Sequence, residues 1–152
     1  MSLDSRRTPA VEAFWYAAVA ATPELNRDAA YAVWSFGDNQ ELSDHVLAET
    51  LAGRNRATAA LRWDYDADPT RLPKAGDAGV ITDWRGSPRA VVVTRQVYIR
   101  RYVDVDEDFA RAEGYLNDPV NEWRGVHWPY FSRRCAELGR AVSPDMPVVC
   151  EW

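Results

Sequence analysis

The sequence predicts an α+β fold, a small curved and barrel-like sheet, mostly antiparallel, flanked by helices. Three observations carry that expectation. Apolar residues recur at helical spacing over 9–21 and again over 40–52. The period turns extended after Gly53, and helical spacing returns after residue 106 before a last short apolar run. The chain has 152 residues, 47% apolar and 27% charged. That length suits one domain with a proper core, and that composition excludes disorder as a class.

Each element follows from local pattern. Pro9 suits a first helical turn, and Val11, Phe14, Trp15, Ala18 and Val19 recur at i, i+3, i+4 until Pro23 ends the helix. Alanines fill its other side, so contacts on two sides are expected. A second helical piece is expected over 24–33. The turn Trp34-Ser35-Phe36-Gly37-Asp38-Asn39 follows, and Asp38 and Glu41 have capping-box spacing for a helix over 40–52. That helix is expected to bury Leu42, Val46, Leu47, Thr50 and Leu51 and to stop at Gly53. Residues 56–64 read as a strand, 64–74 as a long acidic loop, and 79–84 as a strand. Arg85-Gly86-Ser87 makes a hairpin turn into one long return strand over 88–102, central and curved because neither of its faces starts purely polar. A short helix over 106–114 and a longer one over 119–138 come next, and Pro129 predicts a kink or break near Trp128. Residues 146–152 close as a strand.

Several classes of chemistry drop out. No apolar run approaches ~18 residues, so no membrane span is expected. The apolar stretch 14–21 is short and follows Glu12 rather than a basic flank, which argues against a signal peptide and for the cytoplasm. Two cysteines, Cys135 and Cys150, make no disulfide framework. His45 and His127 lie 82 residues apart with no Cys or His cluster, so neither a metal site nor a cofactor is expected. His127 falls on an apolar helical stripe and reads as a hydrogen-bonded core residue, whereas His45 reads as solvated. There is no phosphate loop and no nucleophile elbow.

Charge is unevenly spread. Residues 1–53 net −5, residues 54–101 net +5, and residues 102–152 net −5. Almost every basic group is arginine, with Lys74 the only lysine. A basic middle third suits phosphate or carboxylate ligands, although arginines on the wet face of strands would give the same count. Gly53-Arg54-Asn55-Arg56, which joins a helix to a strand, concentrates that charge. Its cations can cap helix carbonyls or grip an anion.

Trp34-Ser35-Phe36-Gly37-Asp38, a helix ending in Leu51-Ala52-Gly53, and Arg54 through Leu61 resemble the opening of an ASCH domain, a small β-barrel family similar to the PUA fold. The resemblance continues through Leu72-Pro73-Lys74-Ala75-Gly76-Asp77, the Gly86 hairpin and Val91-Val92-Val93-Thr94. It takes in Val105 to Gly114, Trp123-Arg124-Gly125-Val126-His127, Phe131-Ser132 and Met146 to Glu151. It implies a domain over 31–152 of the longer bacterial type, with 1–30 as a helical extension packed on it.

The resemblance also implies partners: RNA, a nucleotide or a modified nucleoside, bound in a cleft beside the helix that precedes the first strand. Some members hydrolyse the amide of N4-acylated cytidine, and longer ones are linked to ribonuclease activity. The enzymatic pattern Gly-x-Lys-x-x-Thr maps to Gly53, Asn55 and Thr58, and its glutamate to Glu113. Thr58 would then be nucleophile and Glu113 general acid/base, but Asn55 cannot carry the lysine's proton. Losing that carrier costs on the order of 10²–10⁴ in rate. Binding survives better: Arg54 and Arg56 can grip phosphate, Asn55 can read a base edge, and Trp34, Phe36 and Trp128 can stack on bases or simply fill the core. In a ribonuclease, Glu113, Arg54 and Arg56 would act at the phosphate, with Ser132 as a hydrogen-bonding partner. The expectation is a binding cleft in which Arg54 and Arg56 meet Trp34 or Phe36 and Glu113, with a hydrolase as the alternative.

Overall fold

The computed structural model describes residues 6–152. In chain order the elements are α1 (Pro9–Ala21), β1 (Tyr31–Trp34), α2 (Gln40–Leu51), β2 (Thr58–Leu61), β3 (Ala78–Thr82), β4 (Pro88–Val93), β5 (Val97–Arg101), α3 (Glu107–Ala112), α4 (Pro119–Glu137) and β6 (Pro147–Glu151). The class is α+β, as the sequence predicts. Two compact units share these elements: residues up to 51 with 76–94, and 52–75 with 95–152.

In the first unit, Thr8 caps α1 by accepting the Val11 N–H on its Oγ1 at 3.3 Å. Val11 and Trp15, four residues apart and so on one face, are buried against Val33, Ala78 and Val80 of a three-stranded sheet. The strand order is β1-β3-β4; β3 pairs parallel with β1 and antiparallel with β4. Every residue of β3 is buried, which fits its Ala-Gly-Val-Ile-Thr sequence. The helix expected over 24–33 is not formed. Asn26 folds its Oδ1 onto the Asp28 N–H at 3.0 Å, a local turn that competes with helix. Tyr31, Val33 and Trp34, aromatic or β-branched, suit a strand, and Tyr31 to Trp34 pair with β3.

The cap of α2 lies one residue later than expected. Asn39, not Asp38, accepts the Leu42 N–H on its Oδ1 at 3.0 Å, and Asp38 bonds the Asn39 amide instead. The buried face is also narrower. Ser43 and Leu47 are buried, whereas Leu51 is 47% exposed. A single contact layer, Phe36 and Ile81, decides which stripe of α2 is dry.

In the second unit, β6 lies between β2 and β5, antiparallel to both. The strand expected over 56–64 shrinks to β2, because Arg62–Tyr65 winds into a 3-10 turn. The long strand expected over 88–102 is two strands in two sheets. Between them Thr94 donates its N–H to Asp77 O at 2.8 Å, and Arg95 donates to Trp152 O at 2.6 Å. The same period-2 pattern runs through both strands, so nothing in the spacing marks the crossing.

Asp106 caps α3 by accepting the Phe109 N–H at 3.0 Å and pairs with Arg100. Burial opposes its ionisation, but these two partners hold its carboxyl below the usual range. The break expected at Pro129 is absent: α4 runs continuously from Pro119 to Glu137. Pro129 is exposed, and the carbonyl that loses its N–H belongs to exposed Gly125, which is open to solvent. The core of this unit packs Phe109, Trp123 and Phe131 of the helices against Leu61, Val148 and Cys150 of the sheet.

Candidate functional site

The site begins where α3 stops. Gly114 has φ +95°, a conformation open mainly to glycine. The turn it makes donates Gly114 N–H to Arg111 O at 2.9 Å and Tyr115 N–H to Ala110 O at 3.1 Å, the paired bonds of a Schellman motif. Glu113 and Tyr115 flank this turn. A side chain at 114 would place its Cβ 3.3 Å from the Arg54 carbonyl oxygen, so glycine also admits the 54–56 segment. That segment is tied down by the Arg56 N–H, which donates to Ala112 O at 2.7 Å and satisfies a carbonyl left over at the end of α3. The two polar stretches singled out from the sequence are therefore neighbours.

Glu113 is held by α4. Its Oε2 accepts the Trp123 indole N–H and lies 3.4 Å from His127 Nε2, with side-chain exposures of only 7% for Glu113 and 10% for His127. Trp123 and His127, one helical turn apart, stack at 4.2 Å with planes 13° apart. His127 Nδ1 lies 3.0 Å from the Trp123 carbonyl oxygen. A carbonyl can only accept, so Nδ1 carries the proton of that bond. His127 Nε2 is then the ring nitrogen that faces the carboxylate. The geometry describes a buried carboxylate–imidazole pair. Tyr115 approaches His127 edge-on at 6.2 Å, and burial together with Glu113 and Glu122 pushes its phenol up. Burial, with Glu113 adding to it, pushes the Cys150 thiol up to about 12.

The other predicted residues are placed as follows. Arg54 and Arg56 are exposed, and Arg56 Nε donates to Gly53 O at 3.2 Å. Asn55 is only 6% exposed, and its Oδ1 accepts the Ala57 N–H at 3.1 Å. Its side chain fixes the turn, and that oxygen is not offered to a base edge. Ala57, Ala59 and Leu61 pack into the core of this unit, so alternation turns Thr58 to the other face of the sheet. Ser132 Oγ donates to Trp128 O at 2.7 Å within α4, and Trp128 packs edge-on against Tyr102. Phe36 and Trp34 belong to the first unit. Phe36 is buried in its core, and Trp34 packs edge-on against it at 5.0 Å. Phe36 is thus a core residue, not a stacking surface. Among the described residues no group of His, Cys, Asp or Glu could hold a metal ion, and no helix is long and apolar enough to cross a membrane.

His127 is the residue the sequence reading undervalues. Its core placement is as expected, but its partner is a carboxylate. The detectable signal is the Trp123/His127 spacing of one helical turn together with a lone glutamate before Gly114.

Comparison with known proteins agrees with this architecture. A sequence model of the ASCH domain matches residues 32–152. A crystal structure of a protein from Enterococcus faecalis V583, of the DUF984 family, is 31% identical, covering 93% of this chain and 85% of that one with a TM-score of 0.82. The crystal structure of an ASCH domain from Lactobacillus crispatus JV V101 is 26% identical, covering 92% and 90%, with a TM-score of 0.77. No curated protein sequence gives a significant match. With four-fifths of its length matched in motif order, the chain belongs to the ASCH domain family.

Proposed function

We propose that the chain binds RNA or nucleotides in the cytoplasm through the 54–56 segment, with residues 1–30 serving as a helical extension of the 31–152 domain. The observation that carries this reading is the anchoring of Arg54 and Arg56 against the end of α3, beside a buried Glu113–His127 pair. Two exposed guanidinium groups on a pinned backbone suit phosphate, which arginine grips through two parallel N–H donors. Their number is small and the chain nets −5, so binding is modest and salt-sensitive.

The test is fluorescence anisotropy with short RNAs, nucleotides and nucleosides across salt concentrations. Affinity should fall as salt rises, and Arg54→Ala with Arg56→Ala should flatten the slope. Affinity that ignores salt would remove phosphate contact as the main term.

A hydrolase is the second reading, favoured by one observation, the buried contact between Glu113 and His127. The orientation of Thr58 and the absence of lysine at Asn55 weigh against amide hydrolysis. Wild type is expected to leave N4-acetylcytidine intact over hours, and Asn55→Lys to gain at most partial turnover. Brisk wild-type turnover would reverse the ranking of the two readings.

A further inference from the structure

The first unit carries a groove of its own, about 410 Å³, between α2 and the β3–β4 turn. Its walls are unusual for a surface that merely meets water. Trp84 and Leu51, on opposite walls, are 43% and 47% exposed. Beside the indole, the Arg85 guanidinium meets no carboxylate among the described residues. The nearby Asp83 is occupied, its Oδ1 accepting the Arg85 and Ser87 backbone N–H groups at 3.0 and 2.9 Å. Arg89, exposed, stands 3.8 Å from the other Asp83 oxygen. Across the groove Asp44 accepts the Gln40 amide at 3.4 Å and keeps lone pairs for a further donor.

These groups specify a ligand by chemistry. An exposed indole takes a flat ring, two exposed arginines, of which only Arg89 has a carboxylate near it, take an anion, and a carboxylate opposite them takes an amino group. A nucleobase bearing an exocyclic amine, carried with its phosphate, satisfies all three in a space of this volume. We propose that this groove is a single-nucleotide site, with Trp84 as the stacking platform, Arg85 and Arg89 as the phosphate grip, and Asp44 as acceptor for the base amine. The site lies apart in sequence from Arg54 and Arg56 and does not rest on the reading given above.

The experiment follows the indole N–H signals of the intact protein by NMR, with the Trp84 signal assigned by its loss in Trp84→Phe. The probes are AMP, adenosine, inorganic phosphate and a short oligoadenylate. AMP should move the Trp84 signal saturably, and adenosine or phosphate alone should bind at least about tenfold more weakly. Arg85→Ala with Arg89→Ala, both exposed, should weaken AMP by a similar factor. Arg54→Ala with Arg56→Ala should leave the Trp84 response unchanged, which separates this site from the other. A stronger response to the oligonucleotide than to AMP identifies the nucleotide as part of a strand, and the reverse identifies a free nucleotide. No movement of Trp84 with any of the nucleotides, or equal movement in the arginine variants, overturns the proposal.

Discussion

At Gly114 one missing side chain meets two demands: a left-handed backbone, and room for the Arg54 carbonyl 3.3 Å from where a Cβ would stand. Gly114→Ala should therefore destabilise the chain by about 1–2 kcal/mol from backbone strain, with the contact adding to it. Urea unfolding measures this, and a loss below a few tenths would show that the loop simply moves aside. His127 offers a cleaner test, because the chain has only two histidines. In His45→Ala, nitrogen NMR should find a proton on His127 Nδ1 throughout the pH range of the folded state. A neutral ring protonated on Nε2 alone would contradict the bond to the Trp123 carbonyl. Little of this was legible beforehand. Glu113 and Arg54 to Arg56 were visible as polar residues in family-like positions, but Asn55 looked like a ligand contact and is a turn fastener. A side chain that bonds its own backbone leaves no trace in spacing.

Among the elements, α4 invites a stability test. Pro129 is exposed within a continuous helix, so its ring does little packing while its missing N–H leaves Gly125 O without a helical partner. Pro129→Ala should raise stability, by up to about 3 kcal/mol if the helical bond forms. A lowered melting temperature would mean that the proline packs or rigidifies more than its exposure suggests. The helices were readable because their ends carry punctuation: Pro9, Pro23, Gly53, Asp106, Gly114 and Pro119. The strands were read less well. β1 does not stand out from the helical pattern expected over 24–33, because four residues are too few to establish a period, and its parallel partner β3 begins 47 residues after β1 begins. The 88–102 stretch looks like one strand in sequence because alternation reports which face is wet, and is silent on which sheet supplies the hydrogen bonds.

At the scale of the whole molecule, weak acids raised by burial, Cys150 and Tyr65 among them, govern behaviour in alkali. Burial pushes Cys150 and Tyr65 each to about 12, against ordinary values of 9.0 and 10.0. Folded protein therefore keeps protons that the unfolded chain releases. The stability they contribute is complete below about pH 9 and declines as pH rises from there toward 12. The melting temperature should fall through that window, and thiol reagents at mildly alkaline pH should label Cys150 only after unfolding. Rapid labelling of native Cys150 would contradict the burial argument. The strand order β2-β6-β5 sets a timetable for assembly. Its middle strand is made almost 90 residues after β2, so during synthesis β2 waits beside the Arg54–Arg56 stretch with no sheet to join. The first unit, complete by residue 94, can form while the second is still missing its centre. Such late, long-range closure is slow, and a ribosome stalled before residue 147 would display a finished first unit followed by a β2 that still lacks the strand it pairs with.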